Sequence, residues 1–140
     1  MHETNSNHSL SVGLKMLDRD HREIHAIIHE LSHGAAQQCD RASLVSLLRQ
    51  LERISASHFV LEEGMMTAAR FPLQELHRLR HEWMLEEIKR TLADWTHSSS
   101  GSGAPEQTAS MLLGSHTSHV KHEDLKFGVW LDGRGLTRAV

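Results

Sequence analysis

Apolar side chains return along this chain at intervals of three and four residues, the repeat of a helix that buries one stripe. One run is Leu17, His21, Ile24, Ile28, Leu31, Ala35. A second is Leu44, Leu47, Leu51, Ile54, His58, then Leu61 or Glu62, Met65 and Ala69. A third reads Leu73, His77, His81, Met84, Ile88, Leu92, Trp95. A fourth passes from Met111 and Leu112 through His116, His119 or Val120, and Glu123 or Asp124, to Phe127 and Leu131. No run alternates as a strand would. Breaks divide the runs: "GAAQQCD" offers Gly34 as a stop and Asp40 as an N-cap. "RFP" puts Pro72 where one helix ends and the next begins. "THSSSGSGAPEQ" is a Gly/Ser-rich connection whose Pro105 opens the last helix. The pattern predicts an all-α fold, an up-down-up-down antiparallel four-helix bundle. Its domain spans residues 12–131, between a disordered lead (1–11) and a flexible tail (132–140).

Composition narrows the function without naming it. The 140 residues suit one domain, and a net charge of −3 leaves no electrostatic footprint for nucleic acid or an anionic membrane. No apolar run approaches the ~18 residues of a membrane span. The opening "MHETNSNHSLSVG" lacks the basic start and apolar run of a secretory signal. The single cysteine, Cys39, makes no internal disulfide and fits a reducing, cytoplasmic setting. The abnormal number is thirteen histidines, spread through the chain rather than gathered as a tag.

Seven ionisable residues fall on or beside the buried stripes: His21, His58, Glu62, His77, His81, His119 and Asp124. Burying one unpaired polar group costs a few kcal/mol. Seven of them would overwhelm a total stability of about 5–15 kcal/mol. They also meet. In an antiparallel hairpin, residues at one height have their midpoint in the turn. His58 with His81, and Glu62 with His77, share the Ala69–Arg70 junction as midpoint. His21 with His58 centres between Cys39 and Asp40. His81 with His119, and His77 with Asp124, both centre in the Ser/Gly connection. Nitrogen and carboxylate donors at one level of a bundle are how such folds hold metal. Seven donors exceed one ion, and two first-row transition ions sharing both carboxylates use the set economically. The His119–Asp124 step is loose: five residues leave the two side chains about 140° apart on an α-helix, so Asp124 must reach sideways. Among the remaining histidines, His25, His29 and His33 drift out of the stripe and read as solvated. His2, His8 and His97 read as tail or loop residues. Met65 and Met66 read as core filler. Glu63 lies 100° round from Glu62 and reads as solvated or paired.

In order along the chain, "VGLKMLDRDHREI" with Asp18 three residues before His21, "HFVLEEGMM", "FPLQELHRLRH" and "HVKHED" resemble the segments of the hemerythrins, in particular the single-domain bacteriohemerythrins. The resemblance covers residues 12 to about 127 and fills all seven ligand positions. It implies two iron ions (Fe2+/Fe3+) with an oxo or hydroxo bridge. His77, His81 and His119 would hold one and His21 and His58 the other, with Glu62 and Asp124 between them. Counting donors then gives six on the first iron and five on the second. The open place, on the side of His21 and His58, is where the family takes up O2. Ile24, Phe59, Val120 and His116 would line that pocket. The sequence departs from the family at Ser115 and His116, where Trp-Leu is usual, and at Phe127, where Tyr is common. His116 would put a proton donor or spare ligand beside the oxygen site.

The expected function is a di-iron O2-binding protein serving carriage, storage or sensing, not an enzyme. Three other readings stand beside it. One is an oxidase, peroxidase or nitric oxide-reactive enzyme, for which NO or peroxide is the reactant. Another is a sensor module with a fused or separate signalling partner, the tail "DGRGLTRAV" being its linker. The last is a histidine-rich metal buffer.

Overall fold

A computed structural model describes residues 15–37, 40–97 and 105–135. The lead at 1–11 and most of the tail predicted at 132–140 lie outside these residues. Four rods make up the fold. They are α1 (Lys15–Ala36), α2 (Arg41–Ala69), α3 (Gln74–His97) and a composite fourth. The fourth comprises α4 (Pro105–His119), one π-helical turn (Val120–Asp124) and α5 (Leu125–Gly133). No strand occurs among the described residues. No helix is long and apolar enough to cross a membrane.

Neighbouring rods contact one another in opposite order. Gln74, His77 and His81 of α3 meet Glu63, Glu62 and Phe59 of α2. Going down the fourth rod, Ser115, His119 and Asp124 meet Glu87, His81 and His77 of α3. Contacts that climb one helix while descending the next are those of antiparallel packing. The turn between α2 and α3 rests on Arg70, whose φ of 57° is left-handed and whose N–H returns to the Met66 and Thr67 carbonyls. Arg70 thus ends the helix where glycine would be usual. Pro72 follows in the turn, and α3 begins only at Gln74.

Two expectations about helix ends are corrected. Gly34 does not stop α1, which runs through Ala36 with Gly34 buried in it. Packing there outweighs the roughly 1 kcal/mol glycine penalty in a helix. Asp40 does occupy the N-cap of α2 in an extended conformation, but its side chain makes no capping hydrogen bond.

The apolar interior falls into two clusters. One, around Ile28, Leu48, Ile88 and Trp95, fills the half of the bundle towards the α1–α2 and α3–α4 connections. The other, around Leu17, Met66, Phe71, Val120 and Phe127, fills the opposite half. Between them lies a layer of histidines and acids.

Candidate metal centre

Each rod delivers part of that layer: α1 His21, α2 His58 and Glu62, α3 His77 and His81, and the fourth rod His119 and Asp124. All seven are buried, none more than 6% exposed. One donor atom from each falls into two overlapping groups within which all atoms lie no more than 4.8 Å apart. Glu62, His77, His81, His119 and Asp124 form the first group; His21, His58, Glu62 and Asp124 form the second. The two carboxylates are common to both. This is the partition that the family resemblance implies.

The contacts inside the layer satisfy one another only in part as hydrogen bonds. His77 Nε2 lies 2.7 Å from Glu62 Oε1 and 2.7 Å from Asp124 Oδ1, yet a ring nitrogen has at most one proton to give. His81 Nε2 and His119 Nε2 face each other at 3.1 Å. His21 Nε2 is 2.9 Å from Asp124 Oδ2 without hydrogen-bond geometry. Both ring nitrogens of His21, Nε2 of His58 and both oxygens of Glu62 are buried with no hydrogen-bond partner. Orphaned donors crowded around shared points suit cations, because a cation takes several lone pairs at once.

Charge within the layer follows from the same crowding. Burial opposes a proton on His77, but Asp124 and Glu62 outweigh it and hold the ring up to about 9. Burial, with His119 beside it, pushes His81 down to about 4. Burial and then the Asp124 charge push the Glu62 carboxyl up. Asp124 is opposed by its own burial, yet His119, His21 and His77 keep it well below the usual carboxylate range.

The π turn corrects the picture of Asp124 reaching sideways. The Leu125 N–H reaches back five residues to the Val120 carbonyl, so the turn absorbs one residue beyond the α repeat. Asp124 swings back onto the face of His119, with Oδ1 3.0 Å from its Nε2. Phe127 and Leu131 return to the core in the same step.

Two acids outside the predicted set hold two of the clustered rings from behind. Asp20 Oδ2 lies 3.1 Å from His58 Nδ1, and Glu63 Oε2 lies 2.7 Å from His81 Nδ1. A proton fixed on Nδ1 leaves the Nε2 lone pair free to face inward. Both acids stand next in sequence to a stripe residue, about 100° off its phase, which disguises them as surface groups. Glu63 was expected to be solvated or paired; its partner is a ring on the next helix. Asp20→Asn and Glu63→Gln should each weaken metal binding by about 10- to 100-fold. Competition against a chelator measures this, and unchanged affinity in both variants would remove the role.

The predicted pocket residues divide. Ile24, Phe59 and His116 line one small cavity of ≈ 20 Å³, together with Ser55, Met84, Glu87 and Ser115. Phe59 also stacks on His81, with ring centroids 3.9 Å apart. Val120 instead packs in the far apolar cluster with Leu17 and Met66. His116 is buried, its ring centre 6.2 Å from that of His21, and its Nε2 has no partner. His25 is half-buried against His29, Nε2 to Nε2 at 2.9 Å, and His29 and His33 are exposed.

A family model described as the hemerythrin HHE cation binding domain matches residues 12–131. The chain is 26% identical over 115 residues to a bacteriohemerythrin of Stenotrophomonas maltophilia (strain R551-3), covering 82% of this chain and 72% of that protein. It is 28% identical over 79 residues to a bacteriohemerythrin of Pseudomonas aeruginosa (strain LESB58), covering 56% and 51%. The bacteriohemerythrin of strain UCBPP-PA14 matches to the same extent. These alignments span about half the length of the Pseudomonas proteins. No solved structure matches the chain.

Proposed function

Because the chain belongs to the hemerythrin family, we propose that its buried layer holds two iron ions and binds O2 reversibly between them and the surrounding pocket. His77, His81 and His119 would hold one ion and His21 and His58 the other, with Glu62 and Asp124 shared. The observation that carries this reading is the pair of overlapping donor groups with both carboxylates in common. When bound, two such irons supply a pair of electrons that O2 can draw on and return, at the one coordination place left open.

The chain's own residues supply the rest. Asp20 and Glu63 keep His58 and His81 aimed inward. Ile24, Ile28 and Phe59 form an apolar wall on the side of His21 and His58, which excludes bulk water from the bound gas. Phe59, stacked on His81, is fixed in that wall.

Metal analysis of the purified chain should give two irons per chain. The ferrous protein should develop a visible band in air that vanishes under vacuum. A variable, freely exchanging metal count would favour the metal-buffer reading, and a lasting ferric state with no reversible band would remove O2 carriage. A second reading, an oxidase, peroxidase or NO-reactive enzyme, is favoured by His116, a buried ring with an unpartnered Nε2 whose centre lies 6.2 Å from that of His21. Sensing through a fused or separate partner uses the same site and is tested by whether O2 changes binding to that partner. A cytoplasmic setting suits both ferrous iron and the lone Cys39.

A further inference from the structure

One turn beyond His21, α1 carries a further pair of histidines that the buried layer does not use. His25 and His29 stand off the buried stripe, four residues apart, so that their side chains lie one above the other. His29 is exposed and His25 half-buried. The rings meet edge to face, with centroids 4.4 Å apart and planes at 70°. Nε2 faces Nε2 at 2.9 Å. Two neutral rings joined in this way share one N–H, and on an open helix face water competes for it. The same approach aims two ring nitrogens at one point beside solvent.

The spacing selects the kind of ion that fits this point. At a metal–imidazole bond of ~2.0–2.1 Å, nitrogens 2.9 Å apart subtend about 90° at a shared ion. Tetrahedral coordination at that bond length would part them by about 3.4 Å. Right angles belong to tetragonal and octahedral ions. Nitrogen donors in tetragonal geometry suit Cu(II) or Ni(II), of which copper binds the more tightly.

We propose that His25 and His29 form a surface clip for one Cu(II) ion, with water in its remaining places. The clip is separate from the buried layer, since neither ring belongs to the layer's donor groups. The His116 ring has its centre 6.2 Å from that of His25 and 6.2 Å from that of His21. The helix supplies the rigidity that a clip needs. Its other face is buried from Leu17 to Ala35, so the backbone spacing of the pair is set before an ion arrives. His33 continues the series by four residues, is exposed, and shares a groove with His29 and Glu30. A pairing of His29 with His33 is therefore the competing assignment.

The test uses the full-length, iron-loaded chain and Cu(II)–nitrilotriacetate, a chelate that leaves only adjacent places open on the ion. Electron paramagnetic resonance during a titration should show one copper per chain carrying two imidazole nitrogens, with the iron content unchanged. The second ring of a pair binds intramolecularly, so His25→Ala and His29→Ala should each weaken binding by about 100-fold. His33→Ala should bind as the parent chain does. Alanine is the best helix former, so each variant keeps α1 intact. Equal binding by the parent chain and His29→Ala would overturn the proposal. So would binding kept in His25→Ala and lost in His33→Ala, which would place the ion on His29 and His33 instead.

Discussion

Glu62→Ala should empty both halves of the metal centre at once. Glu62 belongs to both donor groups, and its two oxygens are buried without a hydrogen-bond partner. Removing a terminal ligand such as His58 costs one group one donor. Removing Glu62 costs each group one and leaves His77 facing Asp124 alone. On the proposed di-iron reading, iron content is therefore expected to fall from two per chain towards none. Stability should fall with it, because a ligand that binds only the folded chain contributes about 4 kcal/mol at a thousand times its Kd. For a domain of this size that is a Tm drop of roughly 10–20 °C. Elemental analysis and a thermal melt decide the matter. Two irons retained, with an unchanged melt, would refute the shared role of Glu62.

Metal affinity should rise about a hundredfold between pH 6 and pH 8. Without metal, His77 carries a proton up to about 9 because two carboxylates face it, against its burial. An ion taking that nitrogen must displace the proton, and each displaced proton contributes a factor of about ten per pH unit. The gain levels off near pH 9. The metal-free chain should behave in the opposite sense over this range. A histidine raised from 6.5 to about 9 contributes stability that is complete below 6.5 and lost as pH rises through 9. On the acid side, the unfolded chain protonates histidines that the fold keeps neutral, His81 down to about 4 and His116 to about 3. Stability therefore also falls below 6.5. Urea melts of metal-free protein should thus peak near pH 6.5 while chelator competition shows affinity still climbing. Affinity flat across this range would contradict the charge assignment of His77.

Much of this was readable from residue spacing, for reasons particular residues make plain. Every member of the first run, from Leu17 to Ala35, is buried in α1. That helix has a single apolar stripe with charged residues opposite, so its phase has only one solution. The second run is harder. Leu47 and Leu48, Ile54 and Ser55, and Met65 and Met66 are adjacent pairs, and the bundle buries Leu48, Ser55 and Met66. Periodicity cannot choose between Leu47 and Leu48 or Met65 and Met66, neighbours of equal hydrophobicity, and it favours Ile54 where packing buries Ser55; only the facing helix decides. Leu73 and Met111, expected inside, are largely exposed. The turn after Arg70 delays α3 beyond Leu73. In α4, Leu112 next to Met111 takes the inner position.

The seven clustered side chains were found because burying each alone would be so costly. Asp20, Glu63 and Glu87 escaped because an acid beside a charged neighbour looks like a solvated one. Their burial, or their hold on a ring of another helix, exists only once the helices pack. The π turn escaped for a simpler reason. A five-residue spacing is equally consistent with a strained side chain and with a widened backbone, and spacing carries no information about which one yields.

That widened turn sets an order of disassembly. Its backbone ring, closed by the Leu125 N–H on the Val120 carbonyl, is one residue larger than any ring of α4 above it or α5 below it. When solvent begins to compete for amides, this is the hinge point of the fourth rod, and Asp124 hangs from it. Asp124, one of the two acids common to both donor groups, would let go first, while Glu62 and the five imidazoles stay mounted on regular helix. A metal held there would leave through loss of one shared carboxylate rather than through unravelling of the bundle.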